Sequence, residues 1–342
     1  TLLIFPLSSF ARSVVSKMTS FVLPSVTRLS PRVLRVLGQN PGPMTLGGTN
    51  TYLLGTGPQR CLVDTGDAGV PEYQRLVKEL MTSEHAVISN VVLTHWHHDH
   101  VGGVKDLLLE FPSASVWKKP SAVAEASFGH SCHNLMELWP KHPVTGRPTL
   151  HIDADTTVEA LETPGHTDDH VTLRLVEENA LFTGDCILGG SSSVFACYAD
   201  FMSSLEMLRS LEPSRLYPGH GPVVDDAMQR IAEQIMHRQK REGQLLSCLG
   251  RHHAGITIQS MVQDVYADTP KQLHEAAAVN VLHHMRKLLV EKRVWIVNQD
   301  PTDPALAAFR SLGEYDGGEG SSLDADRVRS IAIHIQWALV CQ

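Results

Sequence analysis

The chain has 342 residues, enough for one large domain or two smaller ones with a sizeable buried core. Hydrophobic residues make up 42% and charged residues 19%, a balance that excludes a low-complexity or wholly disordered protein. The net charge is −8, and no apolar run approaches the roughly 18 residues of a membrane span, so no membrane partner is expected.

The charge is unevenly spread. Residues 1–63 carry six basic side chains and no acid, whereas residues 64–226 carry 24 acidic against 10 basic ones. Residues 227–297 reverse the sign, with 10 basic against 6 acidic side chains. The acidic middle is poorly suited to a polyanion unless bound metal offsets it, and the basic late segment points the other way. None of the six cysteines forms a C-x-x-C pair, which disfavours a disulfide framework or a cysteine metal site and fits a reducing compartment.

In chain order, residues 1–28 combine Arg12, Lys17 and Arg28 with many serines and no acid. They read as a mitochondrial transit segment or a disordered start. Residues 47–54 and 61–64 read as two strands around a Gly/Pro turn, the second ending in Asp64. Residues 71–81 have helical spacing, with Tyr73, Leu76, Val77 and Leu80 on one face. Val91, Val92 and Leu93 form a short apolar strand running into Thr94-His95. A helix is expected from Gly102, then a proline-interrupted irregular stretch to residue 150. Strands follow at 158–162, 171–176, 180–182 and 216–217. From Asp225 the texture becomes helical: a long amphipathic helix to 249, further helices at 258–267 and 272–292, and a short β segment at 293–297. This order describes a layered α/β domain over 29–224 and a winged-helix-like module over 225–300. Residues 301–342 read as a linker or disordered tail.

The chemistry lies at four strand ends. Thr-His-Trp-His-His-Asp-His (94–100) presents His95 and His97 to one ion and Asp99 and His100 to a neighbour. One loop cannot close two sites. The missing ligands follow three other strands: His166 in Thr-Pro-Gly-His-Thr, Asp185 in Thr-Gly-Asp, and His220 in Pro-Gly-His-Gly. A glycine beside each lets the backbone turn sharply and approach closely. The natural partition puts His95, His97 and His166 on one ion and Asp99, His100 and His220 on the other, with Asp185 bridging. Imidazole and carboxylate together suit Zn2+, two per chain, far better than magnesium or calcium. Asp99 and Asp185 are thus the candidate catalytic carboxylates. Asp64 is expected to orient a ligand loop from behind. Asp169 and His170, just after His166, are candidates for proton delivery or for structural support. His98 is left outside the set.

These motifs resemble the metallo-β-lactamase superfamily. Residues 40–46 (Asn-Pro-Gly-Pro-Met-Thr-Leu), 48–53 (Gly-Thr-Asn-Thr-Tyr-Leu), 163–170 (Thr-Pro-Gly-His-Thr-Asp-Asp-His) and 183–189 (Thr-Gly-Asp-Cys-Ile-Leu-Gly) look like an animal mitochondrial endoribonuclease group within it. The resemblance spans about residues 29–300 and is weakest over 118–150. It implies an αββα sandwich, a dinuclear zinc site, hydrolysis of single-stranded RNA by a metal-bridging hydroxide, and a place in the mitochondrial matrix, with the cytoplasm as the alternative. In the basic late segment, Arg238, Lys240, Arg241, Arg286 and Lys287 are the candidates for gripping an RNA backbone. A thioesterase of the glyoxalase II kind needs the same seven ligand types and is the alternative. β-Lactam hydrolysis fits less well, because many lactamases replace ligands that this chain keeps, and a non-catalytic RNA-binding protein would be expected to have lost some. Nothing in the sequence specifies an oligomeric state.

Overall fold

A computed structural model describes residues 22–121, 132–297, 302 and 335–339. Two sheets face each other, and helices cover their outer sides. The first sheet has seven strands in sequence order: β1 (Val26–Ser30), β2 (Val33–Leu37), β3 (Asn50–Leu54), β4 (Gln59–Val63), β5 (Val87–Val92), β6 (Ser115–Lys118) and β7 (His133–Asn134). Pairing is antiparallel as far as β4 and parallel from β4 to β7. The second sheet runs β12-β11-β10-β9-β8, built from β8 (Thr149–Asp153), β9 (Thr156–Glu162), β10 (Val171–Leu175), β11 (Ala180–Gly184) and β12 (Arg215–Pro218).

The period of two along each strand sorts side chains between layers. Cys61 and Val63 of β4 point into the core between the sheets, where they meet Val171, Leu173 and Phe182 of the second sheet. Leu62 points the other way, into the core under helices α1 (Pro71–Ser83) and α3 (Val104–Glu110). Helix α1 starts with Pro71 in its first turn and buries Tyr73, Val77 and Met81, one residue per turn on a single face. Between β5 and α3 lies the short helix α2 (His98–Val101), and α4 (Leu135–Leu138) follows β7. The second sheet is covered by α5 (Tyr198–Ser210) and by the first half of α6 (Ala227–Arg251), whose Ala227, Ile231 and Ile235 join that core.

Helix α6 belongs to two cores. Its later residues Leu245, Cys248 and Leu249 pack with α7 (Ile258–Val265), α8 (His274–Val290) and a three-stranded sheet. That sheet corrects the reading of 301–342 as linker or tail for residues 336–339; most of that stretch lies outside the described residues. Strand β15 (Gln336–Leu339) is its central strand, paired antiparallel with β13 (Ile256–Thr257) on one side and β14 (Val294–Ile296) on the other. A strand contributed from so far along the chain leaves no local signal beyond its apolar residues. Trp337 is fully buried in the module's core. The start of the fold is corrected too: Val26–Ser30 pairs with Val33–Leu37, so the first domain begins a little before residue 29. The expected transit character of residues 1–21 lies outside the described residues. Among the described residues no helix is long and apolar enough to cross a membrane.

If β15 completes the small module, Trp337→Ala should lower stability by about 3–5 kcal/mol, the usual cost of truncating a fully buried tryptophan. Denaturant unfolding checks this, and an unchanged midpoint would remove β15 from the fold.

Candidate metal centre

The functional side chains gather where strands of both sheets end. Ligand atoms of His95, His97, His166 and Asp185 lie within 4.8 Å of one another, as do those of Asp99, His100 and His220. The two groups are those expected from sequence. His95 and His97 follow β5, while Asp99 and His100 stand on α2, so the cluster turns helical partway rather than staying a loop. His166 follows β9, Asp185 follows β11 and His220 follows β12.

Each of four histidines is tied back through Nδ1, which leaves Nε2 facing the centre. His95 Nδ1 lies 3.0 Å from Thr94 Oγ1, and His100 Nδ1 donates to Asp64 Oδ2 at 2.8 Å. His166 Nδ1 donates to the Val194 carbonyl at 2.7 Å, and His220 Nδ1 faces the Gly48 carbonyl at 3.5 Å. Such outer partners fix the tautomer and ring orientation of a metal ligand. His97 instead offers Nδ1, which is 2.9 Å from His95 Nε2 and 3.0 Å from His166 Nε2. Three imidazole nitrogens converging at that spacing share a point, which is what one cation demands.

Asp185 joins the groups. Its Oδ1 is 3.4 Å from Nε2 of both His100 and His220, and its Oδ2 is 3.7 Å from His166 Nε2. Oδ1 is buried without a hydrogen-bond partner among the described residues. A buried carboxylate oxygen left in that state fits a bond to a cation. Asp99 Oδ2 closes the second group, 3.1 Å from His220 Nε2 and 3.5 Å from His100 Nε2. Five imidazoles and two carboxylates in this arrangement fit two divalent ions.

The electrostatics divide the cage. Burial, then neighbouring histidines, pushes His95 well below its usual pKa and His97 down to about 3. Burial also lowers His166. This side therefore offers neutral imidazoles, the form that binds metal. On the other side burial is outweighed by carboxylates. Asp64 and Asp185 hold His100 well above its usual value, and Asp185 with Asp99 raises His220 to about 9. Asp185 itself is held well below the usual range, because the attraction of His220 and His100 overcomes burial. A corner that retains protons so firmly also favours a cation in their place.

Close packing explains the glycines. Gly219 lies against the bridging carboxylate, so a Cβ there would fall 2.6 Å from Asp185 Oδ1. Gly165 has φ +127°, and its Cβ would meet the Phe201 backbone at 2.4 Å.

The supporting residues stand directly behind the ligands. Asp64 accepts from the Thr94 N–H at 2.8 Å, from Thr94 Oγ1 at 2.9 Å and from His100, which makes it the brace of the ligand loop. His170 is fully buried, accepts from the Asp185 N–H at 3.2 Å and meets Thr163 Oγ1 at 2.8 Å. It positions Asp185. Asp169 is bound by Thr167 Oγ1 at 2.6 Å and by Lys118 in a buried ion pair, so it also props the His166 loop. Lys118 was missed from sequence. Its only signal was a lysine ending a short strand, and its partner lies 51 residues away.

Several of the RNA-gripping candidates turn inward. Arg238 is 2% exposed and donates to the Ser193 carbonyl. Arg241 donates to the Val265 carbonyl at 2.7 Å and stacks on Tyr266. Lys287 pairs with Glu242 at 2.8 Å. Arg286 is half-buried, and Lys240 is exposed. Part of the basic charge of this segment is thus spent inside the fold, which a count of charges cannot reveal. A third group, Cys248, His252 and Asp264, also lies within 4.8 Å, but Asp264 is already paired with Arg251.

Comparison with known proteins follows this geometry. Residues 44–220 match the family model of the metallo-beta-lactamase superfamily, and residues 257–297 match that of the beta-lactamase associated winged helix domain. The chain is 41% identical over 280 residues to the Beta-lactamase-like protein 2 homolog of Drosophila melanogaster, covering 80% of this chain and 93% of that protein. It is 38% identical over 250 residues to the atrochrysone carboxyl ACP thioesterase of Aspergillus terreus, covering 70% and 73%. Among solved structures, a beta-lactamase domain protein from Burkholderia ambifaria shares the fold with a TM-score of 0.69 at 16% identity, covering 94% and 97%.

Asp185→Asn should leave the fold intact and drop metal content from about two ions per chain to one or fewer. Activity should fall by about 100-fold or more, the scale on which loss of one charge-stabilising group is felt. Elemental analysis beside a turnover assay checks both, and full metal content with near-normal turnover would refute the bridge.

Proposed function

The chain belongs to the metallo-β-lactamase superfamily, and from that premise we propose that it is a two-zinc endoribonuclease hydrolysing phosphodiester bonds of single-stranded RNA. The observation that carries the hydrolytic reading is Asp185, whose two oxygens face two complete ligand groups. Held by these residues, two zinc ions would supply Lewis acidity toward a phosphoryl oxygen and activate water as a nucleophile near neutral pH. Their combined charge would exceed that of Asp99 and Asp185, so the centre would be net positive and would draw an anionic substrate despite the acidic middle of the chain.

The chain's own residues do the positioning. His95, His97 and His166 define one point, Asp99, His100 and His220 define another, and Asp185 spaces them. Asp64 and His170 hold this frame still, so little reorganisation is needed when charge develops on the phosphorus oxygens. The small module offers side chains for a polynucleotide. Lys240, Lys292 and Arg293 are exposed, and so is Trp295 on the edge strand β14. Lys292 and Arg293, next to the exposed indole in the chain, match the way single strands are held, by phosphate contacts and base stacking.

One alternative has a specific observation behind it. Arg238, Arg241 and Lys287 are engaged internally, and a relative named as an ACP thioesterase is 38% identical, which favours a thioester substrate. Purified protein offered single-stranded RNA, double-stranded RNA, a glutathione thioester and an acyl-carrier thioester separates the readings. The proposal expects cleavage of single-stranded RNA, and thioester hydrolysis with RNA left intact would overturn it. Lys240→Ala, Lys292→Ala and Trp295→Ala should each weaken RNA binding. For the lysines, the slope of log K against log salt should fall by about 0.7 per lost phosphate contact. Binding and slope unchanged in all three would take the module out of RNA recognition.

A further inference from the structure

Arg238 is an unexpected occupant of the protein interior. It is 2% exposed, and its Nε has no hydrogen-bond partner among the described residues. Burying a cation is costly unless its charge is answered. Here it is answered by the Ser193 carbonyl, to which Nη2 donates, and by two aromatic faces, with the guanidinium carbon 5.0 Å from the Phe195 centroid and 5.2 Å from that of Phe201.

The residue it grips stands between two ligands of the metal centre. Ser193 Oγ donates to the Asp185 carbonyl at 2.5 Å and lies 3.3 Å from His166 Nδ1. The next carbonyl, of Val194, orients His166 at 2.7 Å. A second arginine of the same helix holds the other end of this segment. Arg230 donates to the Leu188 carbonyl at 2.8 Å and the Ser191 carbonyl at 2.6 Å. Arg230 and Arg238 are eight residues apart, a little over two turns, so they project from one face of α6. The stretch 188–193, leading from the bridging carboxylate to the partner of His166, is therefore clamped by a helix whose far half lies in the core of the small module.

We propose that Arg238 is a positioning residue through which α6 sets the metal affinity of the His95, His97 and His166 group. This rests on the reading of those histidines as metal ligands. Outer partners of ligating histidines commonly change metal affinity by about 10–100-fold. The clamp ties the metal centre to the helix that both cores share, and it accounts for an arginine that the charge pattern alone would assign to a substrate.

The test is a Co2+ titration of the full metal-free chain, followed by visible absorption and calorimetry. Arg238→Met fills the slot between the rings but removes the donor. It should bind one Co2+ with at least about tenfold lower affinity and a changed absorption spectrum, while the second ion binds as in the wild type. Arg238→Lys, which keeps a charged donor, should recover part of the loss. Arg241→Met, which removes a contact confined to the small module, should leave both affinities unchanged. Folded Arg238→Met with wild-type affinities and spectrum would overturn the proposal. Should that variant not fold, unchanged Co2+ binding in both Arg238→Lys and Arg230→Met would overturn it equally. A wild-type chain that binds no Co2+ in the cage would instead overturn the ligand reading on which the proposal rests.

Discussion

The structure turns on a buried carboxylate with two oxygens facing two sets of ligands. Asp185 is nine-tenths or more removed from solvent, yet one of its oxygens has no hydrogen-bond donor among the described residues. Left alone, such a group is strongly unfavourable in a protein interior. Much of the surrounding architecture keeps it in place. His170 receives its backbone N–H, Ser193 binds its carbonyl, and Gly219 leaves room beside it. The two sheets matter because they bring the ends of β5, β9, β11 and β12 to the same edge of the sandwich. No single loop could assemble seven ligands. Four strand ends can, because each holds its ligand on a rigid element while the loop beyond stays free to meet substrate.

The ligands were legible in the sequence because their signals are local. A strand ending in Gly-His or Gly-Asp shows the strand, the turn and the donor within a few residues. Strands β3 and β4 of the first sheet were legible for a similar reason, since two short β runs flank a Gly/Pro turn, and both are almost wholly buried. The missed residues all depend on distant partners. Lys118 is an ordinary lysine until β6 places it against Asp169. Strand β15 is an isolated apolar stretch until β13 and β14 flank it. Arg238 shares a helix with exposed Lys240, and only the packing of α6 against Phe195 and Phe201 decides which of the two faces inward.

Charge was the least transferable signal. Residues 227–297 are basic by composition, but Glu242 alone engages Lys287 and Arg293, and backbone carbonyls take up Arg230, Arg238 and Arg241. Part of the excess that looked like a polyanion surface is a set of internal clamps. Lys240, Lys271, Lys292 and Arg293 remain exposed. The acidic middle is reinterpreted in the same way, since Asp64, Asp99 and Asp185 are consumed by the metal centre and Asp169 by Lys118.

The central claim is that five histidines and two aspartates form one cage for two ions, with Asp185 between them. Anomalous diffraction at the zinc edge, from crystals of protein purified without chelator, tests it most directly. The account predicts two peaks, one among His95, His97 and His166 and the other among Asp99, His100 and His220. Each should lie within about 2.0–2.2 Å of a different oxygen of Asp185. A single peak, or two peaks of which only one touches Asp185, would contradict it.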